Sequence, residues 1–182
     1  LLLSIGTFHS ICAKILREDI KILGFSTSFA IYDVKDQLDL IKVLFEQYNI
    51  SKNIISPNQL RNQISLYKNK MIDCKTVQRK ARTKLEKTIS EIYTHYQKSL
   101  KVNDALDFDD LLTFPLEIFN KKSTILKKYQ NKWKYILVDE YQDTNRAQFQ
   151  FLTNLAKEHE NICVVGDDDQ SIYGWRGAEV SN

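Results

Sequence analysis

Asp139 and Glu140 stand side by side at the end of an apolar run, Tyr135-Ile-Leu-Val-Asp-Glu-Tyr-Gln-Asp143. One carboxylate can hold a hard divalent cation while its neighbour orients or deprotonates water. The pair therefore points to nucleotide hydrolysis, with Asp139 as the Mg²⁺ ligand and Glu140 as the base. A solvated acidic turn after a strand would also explain these two residues taken alone. A second run, Ile162-Cys-Val-Val-Gly-Asp167, repeats the design and leads into Asp168, Asp169 and Gln170. Gln170 is a neutral amide that both donates and accepts hydrogen bonds; a plain loop glutamine is the alternative. The three successive aspartates suit turn-shaping bonds to nearby backbone better than metal ligation.

Other residues have the chemistry to meet a nucleic acid. Tyr173 and Trp175 lie in a short polar stretch containing Gly174, and Arg176 follows them. Aromatic faces in such a stretch can stack on bases, at about 1–3 kcal/mol per base and without regard to sequence. Arg176 can support the stack or pair with an acid; burial of the two rings in a core is the competing reading. Thr7, Phe8, His9 and Ser10 sit between an expected strand and an expected helix. Backbone N–H groups and small hydroxyls there can hold a phosphate, or can simply cap the helix.

The elements that must position these groups follow from periodicity. Tyr135–Val138 and Ile162–Val164 read as buried parallel strands joined by a helix over about 145–159, with Phe149, Leu152 and Ala156 on one face. A right-handed βαβ crossover brings both strand ends to one rim, where ligands bind in open α/β sheets. Leu1–Ile5 reads as a further strand and Phe8 to about Leu23 as the helix after it. Residues 36–48 form an amphipathic helix, Ser56-Pro57 caps another, and a single long helix is expected over about 76–100, with Val77, Ala81, Leu85, Ile89, Ile92 and Tyr96 as its stripe. Asp107 reads as the N-cap of a helix that Pro115 should end or kink. Asp107, Asp109 and Asp110 read as structural, and His95 and His159 as surface residues.

Together these residues resemble the UvrD/Rep/PcrA family of superfamily 1 DNA helicases. Val138-Asp-Glu-Tyr-Gln-Asp-Thr-Asn145 matches the family's Walker B motif, motif II, and residues 164–178 match motif III. Gly6-Thr-Phe-His-Ser10 matches motif Ib, and Asp107-Phe-Asp-Asp-Leu-Leu112 matches the short acidic motif before the Walker B strand. The resemblance implies an α/β fold: a partial RecA-like P-loop NTPase motor domain, residues 1–24 and 104–182, with an all-helical inserted accessory subdomain at 25–103. It implies ATP and Mg²⁺ as cofactors and single-stranded and duplex DNA as partners, with 3′-to-5′ translocation. Asp139, Glu140 and Gln170 would bind the nucleotide and catalyse, Gln170 sensing the γ-phosphate. Thr7, His9, Tyr173, Trp175 and Arg176 would contact DNA. No Gly-x-x-x-x-Gly-Lys-Ser/Thr occurs, so the expectation is an internal fragment, motif Ib to motif III, that hydrolyses ATP poorly by itself.

Composition bounds the rest. The net charge of +3 hides an uneven spread: residues 51–100 carry 11 Lys/Arg against 3 Asp/Glu, and residues 131–182 carry 5 against 9. The middle suits a polyanion and the end suits a metal-bearing site, although lysines that merely solubilise helices would look the same. Cys12, Cys74 and Cys163 lack metal-ligand spacing and read as reduced, buried thiols of a cytoplasmic protein. No apolar run suits a membrane span. The rivals are the motor part of a RecB/AddA-like helicase-nuclease, a degraded DNA-binding remnant without turnover, and a metal-dependent phosphohydrolase built on the aspartates.

Overall fold

Short polar residues begin most of the helices. In a computed structural model that describes residues 3–51, 53–167 and 169, Thr7 accepts the Ser10 N–H and starts α1 (Phe8–Asp19). Asp33, Ser56, Asp73 and Thr83 do the same for α2 (Val34–Gln47), α3 (Pro57–Asn69), α4 (Cys74–Lys80) and α5 (Lys84–Val102). Asp107 accepts the Asp110 N–H at 2.8 Å ahead of α6 (Phe108–Lys121). After α7 (Ser123–Lys132), Asn145 caps α8 (Arg146–Ala156). Each cap satisfies a backbone donor that the helix leaves unpaired, a contribution of about 1 kcal/mol.

Strand pairing is sparse. β1 (Ala30–Tyr32) lies parallel to β2 (Ala105–Asp107), with Ala30 opposite Ala105. β3 (Ile136–Val138) lies parallel to β4 (Ile162–Val164), with Val138 opposite Val164. The chain forms two compact units, one of residues Leu1–Thr27 and Leu111–Asn182, the other of Ser28–Asp110.

In the first unit Cys12, Ile15 and Leu16 of α1 are buried, as are Phe151, Leu152 and Leu155 of α8. The Phe119 ring stacks at 6.0 Å on Phe151 and tilts against Tyr129. In the second unit Ile41, Leu44, Leu60, Ile64, Ile92 and Leu100 pack in one apolar cluster. Beside it Lys68, only 3% exposed, reaches Asp107 Oδ2 at 2.6 Å and Asp110 Oδ1 at 2.8 Å. Tyr96 donates its hydroxyl to the same Asp107 oxygen at 3.0 Å, and Asn69 donates to Asp109 at 2.9 Å. Burial alone would lower the Lys68 ammonium, but the two carboxylates reverse this and hold it charged well above its ordinary range. Burial would likewise raise Asp107, and Lys68 outweighs it. Asp110 goes the other way: burial, helped by the Asp107 charge, pushes it up to about 7 despite Lys68.

Several expectations are corrected. Residues 3–7 are not a strand, and Leu3 and Ile5 stay exposed, because they pair with no strand among the described residues. The long helix expected over 76–100 is two: Ala81 turns extended after α4, and Thr83 and Glu86 form a reciprocal capping box that opens α5. Leu85, in that box's first turn, is therefore exposed rather than part of the stripe. Pro115 lies inside α6, which continues to Lys121. The region expected to be helical throughout contains β1, too short at Ala30–Tyr32 for alternation to be visible. β3 and β4 are parallel as expected but only partly buried: Val138 is buried, whereas Leu137 is 82% exposed and β4 is exposed throughout, since each strand is short and pairs only with the other among the described residues. Cys12 is buried, which pushes its thiol up to about 12, whereas Cys74 is half-buried and Cys163 exposed. His95 is half-buried, stacked on Tyr48 and hydrogen-bonded to its hydroxyl at 2.8 Å. Among the described residues no helix is long and apolar enough to cross a membrane.

Candidate functional site

Parallel pairing puts the C-terminal ends of β3 and β4 at one rim, and the acids follow directly. Asp139 and Glu140 are both exposed there. The Glu140 N–H donates to Asp139 Oδ1 at 2.9 Å, which folds the two residues onto each other. Glu140 adopts a left-handed backbone with φ 52° and leads into a 3-10 turn, Tyr141–Asp143. The other positive-φ residues other than glycine among those described, Asn49, Met71, Asp104 and Glu160, come close behind helix ends, where this conformation terminates helices. Glu140 alone follows a strand, and strain of that kind gathers at functional sites.

The two strand exits are sewn together. The Val165 N–H donates to Val138 O at 2.8 Å and the Tyr141 N–H to Val165 O at 2.9 Å. Gln142, 5% exposed, donates its amide to Glu140 Oε2 at 2.7 Å and accepts the Asp167 N–H at 3.0 Å. Gly166 makes this approach possible: a Cβ there would lie 2.7 Å from Gln142 Oε1 and 3.2 Å from the Gln142 nitrogen. In the sequence Gln142 counts only as a member of the acidic motif and Gly166 only as the end of an apolar run, with no role for either. A lone glycine at a strand end is a usable sign of close backbone approach, but a glutamine's two partners leave no trace in spacing. Asp169 donates its N–H to Asp167 Oδ1 at 3.1 Å, a local turn bond of the kind expected for these aspartates.

The second cluster lies at the start of α1. Thr7 Oγ1 accepts the Ser10 N–H at 3.3 Å, and the Ser10 hydroxyl donates back to Thr7 O at 2.9 Å. A Cβ on Gly6 would meet Ser10 Oγ, which would have to rotate away and give up its bond to Thr7 O. Burial pushes the half-buried His9 imidazole below its ordinary value, which favours a neutral ring. Thr7, His9 and Asp139 line one cavity of about 410 Å³, whose wall is completed by apolar residues of β3 and α8 such as Leu137, Phe151 and Leu155. Gln170, Tyr173, Trp175 and Arg176 lie outside the described residues.

Residues 2–182 match the model of the UvrD/REP helicase N-terminal domain. The chain belongs to that family. It is 43% identical over 178 residues to a protein of Bacillus subtilis (strain 168) named ATP-dependent DNA helicase PcrA, a match covering 98% of this chain and 24% of that protein. A protein of the same name in Staphylococcus aureus (strain Mu50) is 42% identical over 177 residues, 97% of this chain and 24% of its own length. The UvrD/REP-type chain thus spans 24% of the curated relatives it matches.

Proposed function

We propose that this chain is part of the motor of an ATP-dependent DNA helicase that hydrolyses ATP to move 3′ to 5′ on single-stranded DNA and unwind duplex. The observation that carries the reading is the juxtaposition of Asp139 and Glu140 with the β4 exit on one rim of a parallel pair. Family membership and relatives named ATP-dependent DNA helicase support it.

In this reading Glu140 takes a proton from water as the water oxygen bonds to the γ-phosphorus and the bond to the bridging oxygen breaks, releasing ADP. Asp139 would hold Mg²⁺, and its exposed, hard oxygen donors suit that ion. Among the described residues no group of three or more His, Cys, Asp or Glu is arranged to hold a metal. Bound at Asp139, Mg²⁺ would neutralise charge on the phosphate oxygens. Gln170, matched through motif III, would report the γ-phosphate.

We further propose that residues 1–24 and 104–182 belong to a RecA-like motor domain and that 25–103 form an accessory subdomain. The compact unit Ser28–Asp110 supports the division. Lys75, Arg79, Lys80, Arg82, Lys84 and Lys87 are exposed on it and offer cations to duplex phosphates; Lys68 does not, being buried against its carboxylates. Tyr173 and Trp175, backed by Arg176, would stack on single-stranded bases, and Thr7 and His9 would meet the DNA backbone.

Glu140→Gln in the full-length protein containing this chain tests the reading. Single-strand-stimulated ATP hydrolysis should fall to the level without DNA while single-strand binding, followed by anisotropy, is kept. Hydrolysis at the parent rate would remove Glu140 from the mechanism.

A further inference from the structure

We propose that Gln142 is a positioning residue for Glu140, tying the pose of its carboxylate to the exit of β4; this rests on the hydrolysis reading above. The buried Gln142 side chain spans two loops, with its amide nitrogen 2.7 Å from Glu140 Oε2 and its amide oxygen 3.0 Å from the Asp167 nitrogen. Its orientation is not free. The Asp167 N–H can only donate, so it takes the amide oxygen and turns the NH₂ group toward the Glu140 carboxylate, which can only accept when ionised. A carboxylate fixed by a buried donor keeps one direction instead of sampling several rotamers, and for a base that must meet one water molecule direction decides the rate.

The same bridge makes Glu140 sensitive to β4. Any displacement of the Asp167 nitrogen pulls the amide that holds the carboxylate. Gly166 sits at the pivot, since its missing side chain lets the β4 exit come within contact of Gln142. Gln170, the proposed phosphate reporter, lies three residues beyond Asp167 in the sequence. Gln142 is thus a physical link by which a change at the β4 exit reaches the base.

The test uses the full-length protein with saturating single-stranded DNA, measuring kcat and the KM for ATP. Glu140→Gln is run first. Turnover in E140Q at the parent rate overturns the hydrolysis reading and this proposal with it. With E140Q inactive, Q142M decides the matter, because it keeps the length and removes both hydrogen bonds. Its kcat should fall about 10- to 100-fold, with the KM for ATP close to that of the parent. An unchanged kcat overturns the positioning role while leaving the hydrolysis reading intact. If Q142M fails to fold, Q142N keeps the amide but is one methylene too short to span both partners; its kcat should fall by about 10-fold or more, and an unchanged kcat overturns the proposal.

Discussion

The Lys68 ammonium lies 2.6 Å from Asp107 Oδ2, with 3% and 2% of the two side chains exposed. The contact joins α3 to the end of β2 across 39 residues of sequence, and Asp110 closes it from the first turn of α6. Ions this far from water are held by one another, so losing one leaves the rest uncompensated. Lys68→Met should destabilise the Ser28–Asp110 unit by about 3–5 kcal/mol, measured by urea unfolding at neutral pH. Adding Asp107→Asn and Asp110→Asn to Lys68→Met should recover most of that loss. A single K68M variant as stable as the parent would show that the cluster contributes nothing net.

The same cluster sets a pH dependence whose sign is opposite to that of an ordinary ion pair. Asp110 keeps its proton up to about 7 when folded, because burial and Asp107 disfavour its charge, but releases it near 3.8 when unfolded. Between those values the folded state binds more protons, so stability falls as pH rises and levels off above about 7. Asp107, lowered by Lys68, works in the other direction only below its ordinary value of 3.8. Urea midpoints should therefore be higher at pH 5 than at pH 8. A midpoint that rises steadily from pH 5 to pH 8 would mean that Asp110 is ionised throughout.

Trp175→Ala in the full-length protein should weaken single-strand affinity by about 1–3 kcal/mol, the worth of one stacked base. Anisotropy titrations at one fixed salt concentration read this directly, because the phosphate contribution is then held constant. Unchanged affinity would remove Trp175 from the strand path.

Local signals made much of this legible. Ser56-Pro57, Asp107 and Asn145 announce their helices within a single turn, and the apolar runs ending in Asp139 and Asp167 mark β3, β4 and the rim between them. The break between α4 and α5 was there to be read in Thr83-x-x-Glu86, but a continuous apolar period over Val77–Tyr96 hid it. What sequence could not supply was partnership at a distance. Nothing near Lys68 marks it as a buried cation rather than one more solvated lysine, and nothing near His95 foretells Tyr48, 47 residues away. Gln142 is the same problem on a small scale: its residue type permits two bonds, but only the fold of the β4 exit decides which two.

Glu140 occupies a backbone region that costs a side-chain-bearing residue roughly 1–2 kcal/mol and costs glycine nothing. In the hydrolysis reading proposed above, an acid held at that torsion trades folding stability for the placement of a base, and Glu140→Gly would relieve the torsion while leaving the buried Gln142 amide without its acceptor.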